Sequence, residues 1–427
     1  MRGILFWKIT VNALKKEITL FGGIGQLSTT LLGTGLFMIP ALAAGIAGNA
    51  SLWAWLILFI AVVPIALTFA SLGKRYPNAG GTAYFVRKAF NKRTEHSVAW
   101  LFLSVIPVGI PAGIVLAGSF GQQLLPEPIR SPLLAEIITI AILAAVNLTG
   151  SKSSARIQAV IALGICTLVS LLWFYGDVST QDITMPSLST GNLPDIASAL
   201  SVMFWCFVGI EAFAHMGEEF KNPQRDFPVS IVLGCLFAGL IYWACTVVVL
   251  KFHAYGTPAL DTGSIPWLSE QLIGDQASFL ISLLGYLACF ASLNLYLQSL
   301  SRMTWSLAKE RKPSGSLAAI SARGIPANAT LLLTVILLIC SATGEILHLN
   351  LEHLVKLANG VFVLVYLFAM LSAFRLLTGI RKLLAFIALI ITILVFVCLQ
   401  WAALYAIIVF ALLHFSSANV ILNPKLN

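Results

Sequence analysis

An all-α polytopic membrane protein of about twelve transmembrane helices is what this sequence predicts, on three observations. Of its 427 residues, 59% are hydrophobic and only 10% are charged, with a mean hydropathy of +0.92. Soluble domains carry about 25% charged residues, so this chain has too little polar surface to cover a water-facing core. The apolar residues also come in blocks long enough for a helix to cross about 30 Å of hydrocarbon. Finally, the cations fall almost entirely on one side of those blocks.

The blocks place spans near 22–47, 52–73, 96–123, 132–149, 155–176, 195–216, 229–251, 277–301, 327–345, 353–374, 383–399 and 401–416. With the N-terminus inside, 23 of the 26 Lys and Arg lie on the cytosolic side, the exceptions being Arg130, Lys251 and Lys356. Ten acids fall outside, six inside, and Glu211 lies within a span. A wrong span count would invert the later loops and scramble this asymmetry, so the positive-inside rule supports twelve helices with both termini cytosolic. The closing pair, 383–416, has the least length to spare. The expected layout is a cytosolic segment 1–21, a core 22–376, helices 11 and 12 within 377–416, and a cytosolic tail 417–427. No cleavable leader is expected, because the apolar run between Arg2 and Lys8 is too short.

The net charge of +9 follows from this orientation and does not indicate nucleic acid as a partner. The seven cysteines (166, 206, 235, 245, 289, 340 and 398) all sit in apolar spans without CxxC spacing, as small buried hydrophobes do. Neither a disulfide, a metal nor a cofactor is expected. The histidines at 96, 215, 253, 348, 353 and 414 are scattered, and no HExxH or GxSxG occurs, so an embedded enzyme is disfavoured. GIPAG, 109–113, has GxxxG spacing, but Pro111 inside it argues against simple helix dimer packing.

Two spans carry helix breakers at depth. The first contains LLGTGLFMIP, 31–40, with Gly33 and Gly35 flanking Thr34. The sixth contains FWCFVGIEAFAH, 204–215, where Gly209 precedes Glu211. The breaks lie about 175 residues apart, at the starts of two five-helix blocks that enter the membrane from opposite sides. Paired interruptions in inverted repeats mark a transporter's central site. Unwound backbone exposes N–H and C=O groups that cost several kcal/mol each in lipid unless protein, water or ligand satisfies them. A zwitterionic amino acid does so, placing its carboxylate on N–H groups and its ammonium on freed carbonyls, with support from the helix dipoles.

At these residues the chain resembles the amino acid–polyamine–organocation superfamily, over essentially its whole length. The resemblance rests on LLGTGLFMIP (31–40), SLGKRYPNAGGTAYFVRKAF (71–90), FWCFVGIEAFAHMGEEFKNPQRDFP (204–228) and ASLNLYLQSLSRMTWSLAKE (291–310). LFLSVIPVG (101–109), LSVMFWCFVGIEAFAH (200–215) and GYLACFASLN (285–294) look most like its bacterial branch exporting L-methionine and branched-chain amino acids. The resemblance implies a LeuT-like inverted 5+5 repeat (about 22–176 and 195–376) with broken helices 1 and 6, plus two C-terminal helices. It implies that Thr34 and Gly35, beside Gly33, contact a substrate carboxylate. The carbonyls near Leu32, Phe207 and Val208, beside Gly209, would take the ammonium. Trp205 and Phe207 would line or gate the pocket, or else be lipid-facing or core aromatics. Asn294 would face the site or make an interhelical hydrogen bond.

Apart from Glu211, no acid is expected near either break to hold a cationic substrate, so neutral, apolar amino acids are the favoured class. Methionine, leucine, isoleucine and valine come from the resemblance alone. Glu211 is the only carboxylate placed well inside a span, where an ionisable group is functional by default. His215 follows one turn onward on a helical face, continued by Glu218 and Glu219. The expectation is that Glu211 carries a coupling proton and His215 relays it, the alternative being that Glu211 braces loose N–H groups. Some family members carry a lysine in the fifth helix; here that region reads AVIALGICTLV, 159–169. Proton coupling is therefore preferred to sodium, with ion-free exchange open. Lys356 is read as snorkelling to the interface.

The loop 73–93 carries six basic residues, read as orientation and headgroup contacts. Phe85, Val86, Ala89 and Phe90 recur at helical spacing there, suggesting a short helix on the cytosolic surface. The leading reading is a proton-linked exporter of small neutral L-amino acids in the bacterial cytoplasmic (inner) membrane. An importer or exchanger on the same scaffold is the alternative, and a channel is disfavoured.

Overall fold

The computed structural model describes residues 14–33, 35–274, 277–347, 351–399 and 401–422. The apolar blocks form seventeen α-helices among these residues, with no β-strand. In order they are α1 Leu20–Leu32, α2 Gly35–Ala47, α3 Ser51–Arg75, α4 Gly81–Ala89, α5 Lys92–Leu103 and α6 Gly109–Gly121. Then come α7 Pro132–Thr149, α8 Ser151–Tyr175, α9 Leu193–Met203, α10 Ile210–Phe213, α11 Asp226–Lys251 and α12 Pro258–Ile273. The last are α13 Ala277–Arg311, α14 Ala327–Ile346, α15 Leu351–Leu376, α16 Ile380–Cys398 and α17 Trp401–Leu422.

Among the described residues, eight stretches are long and apolar enough to cross a membrane, nine when the bent pair Leu193–Leu200 and Phe204–Glu219 counts as one. Gly35–Arg75 among them contains both α2 and α3, which belong to different crossings. With α5 and α6 as one crossing and α17 as another, the bundle has twelve. Large apolar side chains face outward along it: Ile60 is 73% exposed, Phe174 78% and Val397 70%. Such surface in quantity belongs in lipid, not water.

Three features depart from the expected spans. The third crossing is not one helix, because α5 ends at Leu103 and α6 starts at Gly109. Pro107 lies between them, and a proline offers no N–H to the preceding turn. The Gly109 N–H instead bonds the Val105 carbonyl at 2.8 Å across the irregular turn. The eighth crossing, α13, runs ten residues beyond the expected 301, to Arg311. Helix α17 continues past 416 to Leu422.

The short helix expected in the 73–93 loop exists as α4, but its Phe85 and Val86 are fully buried in protein. It packs against α5, α15 and the 3₁₀ turn 214–219. The basic end of the bundle is sealed around this element. Ile18, 0% exposed, pairs with Phe220 in an isolated parallel bridge. The Glu17 and Ile18 N–H groups both donate to the Glu219 carbonyl at 2.9 Å, and Lys221 N–H returns a bond to Ile18. Arg302 on α13 bonds the Glu219 carboxylate at 2.5 and 3.0 Å, both side chains being buried.

Candidate functional site: two broken helices around an uncharged cavity

The first break separates α1 from α2. Gly33 has φ +26° and ψ −133°, a backbone conformation that glycine adopts without the Cβ clash of other residues. Thr34, expected as a carboxylate contact, lies outside the described residues. The Leu31 and Leu32 carbonyls freed at the end of α1 both accept from the Tyr242 hydroxyl of α11, at 2.9 and 3.0 Å. The Thr30 carbonyl accepts from the Ser292 hydroxyl of α13 at 2.8 Å. A Cβ on Gly35 would run into the Tyr242 hydroxyl. Glycine at 35 therefore permits the tyrosine to reach the broken end.

The second break follows α9. Phe204–Phe207 tighten into a 3₁₀ turn, Val208 is extended (φ −72°, ψ 125°), and Gly209 takes φ +135° before α10 begins. That φ suits only glycine. The Gly209 N–H donates to Glu211 Oε2 at 2.8 Å. Glu211 Oε1 accepts from the Tyr296 hydroxyl of α13 at 2.8 Å. The Tyr366 hydroxyl of α15 donates to the Phe207 carbonyl at 2.8 Å and also touches the Glu211 carboxyl. Glu211 is therefore 0% exposed, yet each carboxyl oxygen is matched to a donor.

Between the breaks lies a cavity of about 80 Å³. Gly33, Gly35, Trp205, Val208, Ser292 and Tyr296 form the side nearest the breaks. Ile110, Leu116, Leu293, Ala358 and Phe362 supply an apolar wall, and among the described residues none of the lining is charged. Of the sequence-predicted site residues, the structure thus brings Gly33, Gly35, Trp205 and Val208 to the cavity.

The others are placed behind it. Leu32 and Gly209 hold the broken backbone. The Phe207 ring packs edge-on to Phe59, with centroids 6.3 Å apart, and faces a different cleft between α3 and α11. Asn294 bonds Asn147 at 2.8 Å and Ser154 at 2.6 Å, an interhelical network away from the cavity. His215 does not share partners with Glu211. Its Nδ1 bonds the Ala79 carbonyl at 2.8 Å, and its ring stacks on Phe102 at 4.9 Å. The segment 214–219 is 3₁₀, with three residues per turn, so the i+4 face drawn for an α-helix through Glu211, His215 and Glu219 does not persist.

Three tyrosines that no sequence motif marks hold the breaks: Tyr242, Tyr296 and Tyr366. Nor does any motif place Gly109 and Gly113 at the cavity, which their bare backbone lines opposite the breaks. Two signals were available: Tyr296 lies two residues past Asn294 in ASLNLYLQSL, and the GIPAG glycines had no packing partner assigned. Among the described residues, the region 159–169 begins with Ala159 packed on the backbone of Gly25. The preceding Gln158 accepts from the Thr29 hydroxyl at 3.0 Å. A neutral amide thus stands beside the first helix there.

Paired half-helices facing one uncharged cavity inside a twelve-span bundle define a membrane transporter of a small ligand. Comparison with known proteins narrows the class. A family model described as amino acid permease matches residues 18–426, and the chain belongs to the amino acid permease family. It is 47% identical to the L-methionine/branched-chain amino acid exporter YjeH of Escherichia coli K12, over 94% of this chain and 96% of that one. Identity is 27% to the amino acid permease YecA of Bacillus subtilis 168, covering 85% of this chain and 86% of the relative. It is 24% to the Escherichia coli K12 cadaverine/lysine antiporter, covering 75% and 73%.

Proposed function

We propose that this protein exports neutral, apolar L-amino acids (methionine, leucine, isoleucine and valine) across a bacterial cytoplasmic membrane in exchange for protons. Residues 22–376 would form the transporting core, flanked by the last two helices, with the basic end and both termini in the cytosol. The observation that carries the reading is the uncharged, apolar wall of the cavity between the two breaks. A cationic or acidic side chain would find no counter-charge there, whereas a thioether or branched alkyl chain gains about 25 cal/mol for each Å² it buries. The exporter relative at 47% identity supports the same substrate class.

The substrate carboxylate would lie at the start of α2, on the N–H groups of Thr34 and Gly35. The ammonium would meet the carbonyls of Leu31, Leu32 and Phe207. Each of these already accepts from a tyrosine hydroxyl, but a carbonyl oxygen has a second lone pair for the ammonium. Trp205 would cover the substrate. The link to protons runs through Tyr296, which both lines the cavity and donates to Glu211. Gain or loss of a proton on Glu211 changes which way that hydroxyl donates, and so changes the polarity offered to the substrate. His215, held by Ala79 and Phe102, would brace α4 against the sixth crossing and not relay the proton.

Counterflow tests the substrate class. Purified protein in liposomes preloaded with unlabelled methionine should accumulate labelled methionine, and external leucine, isoleucine or valine should compete. Competition by lysine or glutamate, with none from leucine, would refute the proposed class.

A further inference from the structure

The lipid-facing flank carries a second feature, separate from the central cavity. Between α3, α11 and the start of α16, two clefts lie end to end and share Leu67 and Val232 in their walls. The deep cleft is apolar, bounded by Phe59, Val62, Ala66 and Cys235, and it reaches Phe207 behind the second break. The other opens at the basic end, where Lys74, Arg225 and Arg381 converge from three separate parts of the chain.

These three cations are exposed, and none of their side chains has an ion-pair or hydrogen-bond partner among the described residues. Their neighbours are engaged. Arg75 donates to the Leu376 carbonyl at 2.8 Å, Arg375 covers the Phe90 ring, and Lys382 covers Phe374. The adjacent acid, Asp226, is only 7% exposed and accepts from Asn222 at 3.4 Å. Three like charges beside a single buried acid repel one another, and a bound anion relieves that repulsion. An apolar channel leading inward from the same point suits an anion that carries an acyl chain.

We propose that this groove binds one anionic phospholipid. Its phosphate sits among Lys74, Arg225 and Arg381, and an acyl chain occupies the cleft against Phe207. Basic pockets between helices at the cytoplasmic face are suited to such headgroups. The lipid would back the second break from the membrane side, since Phe207 belongs to the turn that Tyr366 holds.

Lipid retention tests this without reference to transport, so its outcome is separate from the substrate proposal. Protein purified from mixed phosphatidylglycerol and phosphatidylethanolamine vesicles is delipidated stepwise in detergent, and retained lipid is counted by mass spectrometry. Phosphatidylglycerol should be retained in preference. Arg381→Gln alone should weaken that retention about fivefold, and Lys74→Gln with Arg225→Gln and Arg381→Gln about a hundredfold. Val232→Trp, which fills the cleft without changing charge, should also release the lipid. Excess inorganic phosphate should fail to displace it, because it lacks the chain. Equal retention of the two lipids, retention unchanged in the Arg381 variant, retention unchanged by Val232→Trp, or displacement by phosphate would each overturn the proposal.

Discussion

Glu211 braces the second break, and a pair of substitutions separates that brace from its proposed proton role. Its Oε2 accepts from the Gly209 N–H and its Oε1 from the Tyr296 hydroxyl, both at 2.8 Å. In Glu211→Gln, the amide oxygen can keep the Gly209 bond, while the NH₂ group donates to a Tyr296 oxygen that turns round to accept. The brace survives, so the stability cost should stay within about 1 kcal/mol. In Glu211→Ala, the Gly209 N–H is orphaned in a site without water access, costing about 1–3 kcal/mol, with a further cost for the vacated volume. Thermal unfolding of purified protein should therefore rank wild type and Gln together, well above Ala. Transport should rank them differently. Gln cannot take up or release the proton, so methionine exchange should persist while accumulation against a gradient is lost. A Gln variant that still concentrates methionine in response to a pH gradient would refute the proton role. A Gln variant as unstable as Ala would refute the bonding pattern.

Two further outcomes follow from the same geometry. Gly209→Ala forces a Cβ onto φ +135° and should destabilise by about 1–3 kcal/mol, read as a lowered melting temperature; an unchanged one would contradict the strained turn. Arg302→Gln leaves the buried Glu219 carboxylate without its ion-pair partner and should cost about 3–5 kcal/mol. Adding Glu219→Gln should recover part of that loss, in a denaturation series.

The helix count and both breaks were legible because their signals are local: block length, sorted cations, and glycines within LLGTGLFMIP and FVGIEAF. The interruption at Pro107 was equally local but was read as part of a single span, since proline within a membrane helix need not end it. What holds the breaks was not legible. Tyr242, Tyr296 and Tyr366 sit on three other helices, and a tyrosine in an apolar span does not disclose which carbonyl it reaches. Asn294 illustrates the converse. Its polarity marked a buried partner, but only the packing of α7, α8 and α13 shows that the partners are Asn147 and Ser154. The Glu211–His215 pairing rested on α-helical spacing, and the 3₁₀ turn at 214–219 removes that spacing.

We propose that the cavity between the breaks moves neutral amino acids out of the cell at the expense of the proton gradient. Uptake of labelled methionine into inside-out membrane vesicles tests it directly. Energised vesicles should accumulate methionine, collapse of the proton gradient should abolish accumulation, and Glu211→Gln vesicles should behave as collapsed ones. Accumulation that is indifferent to the proton gradient would contradict the account.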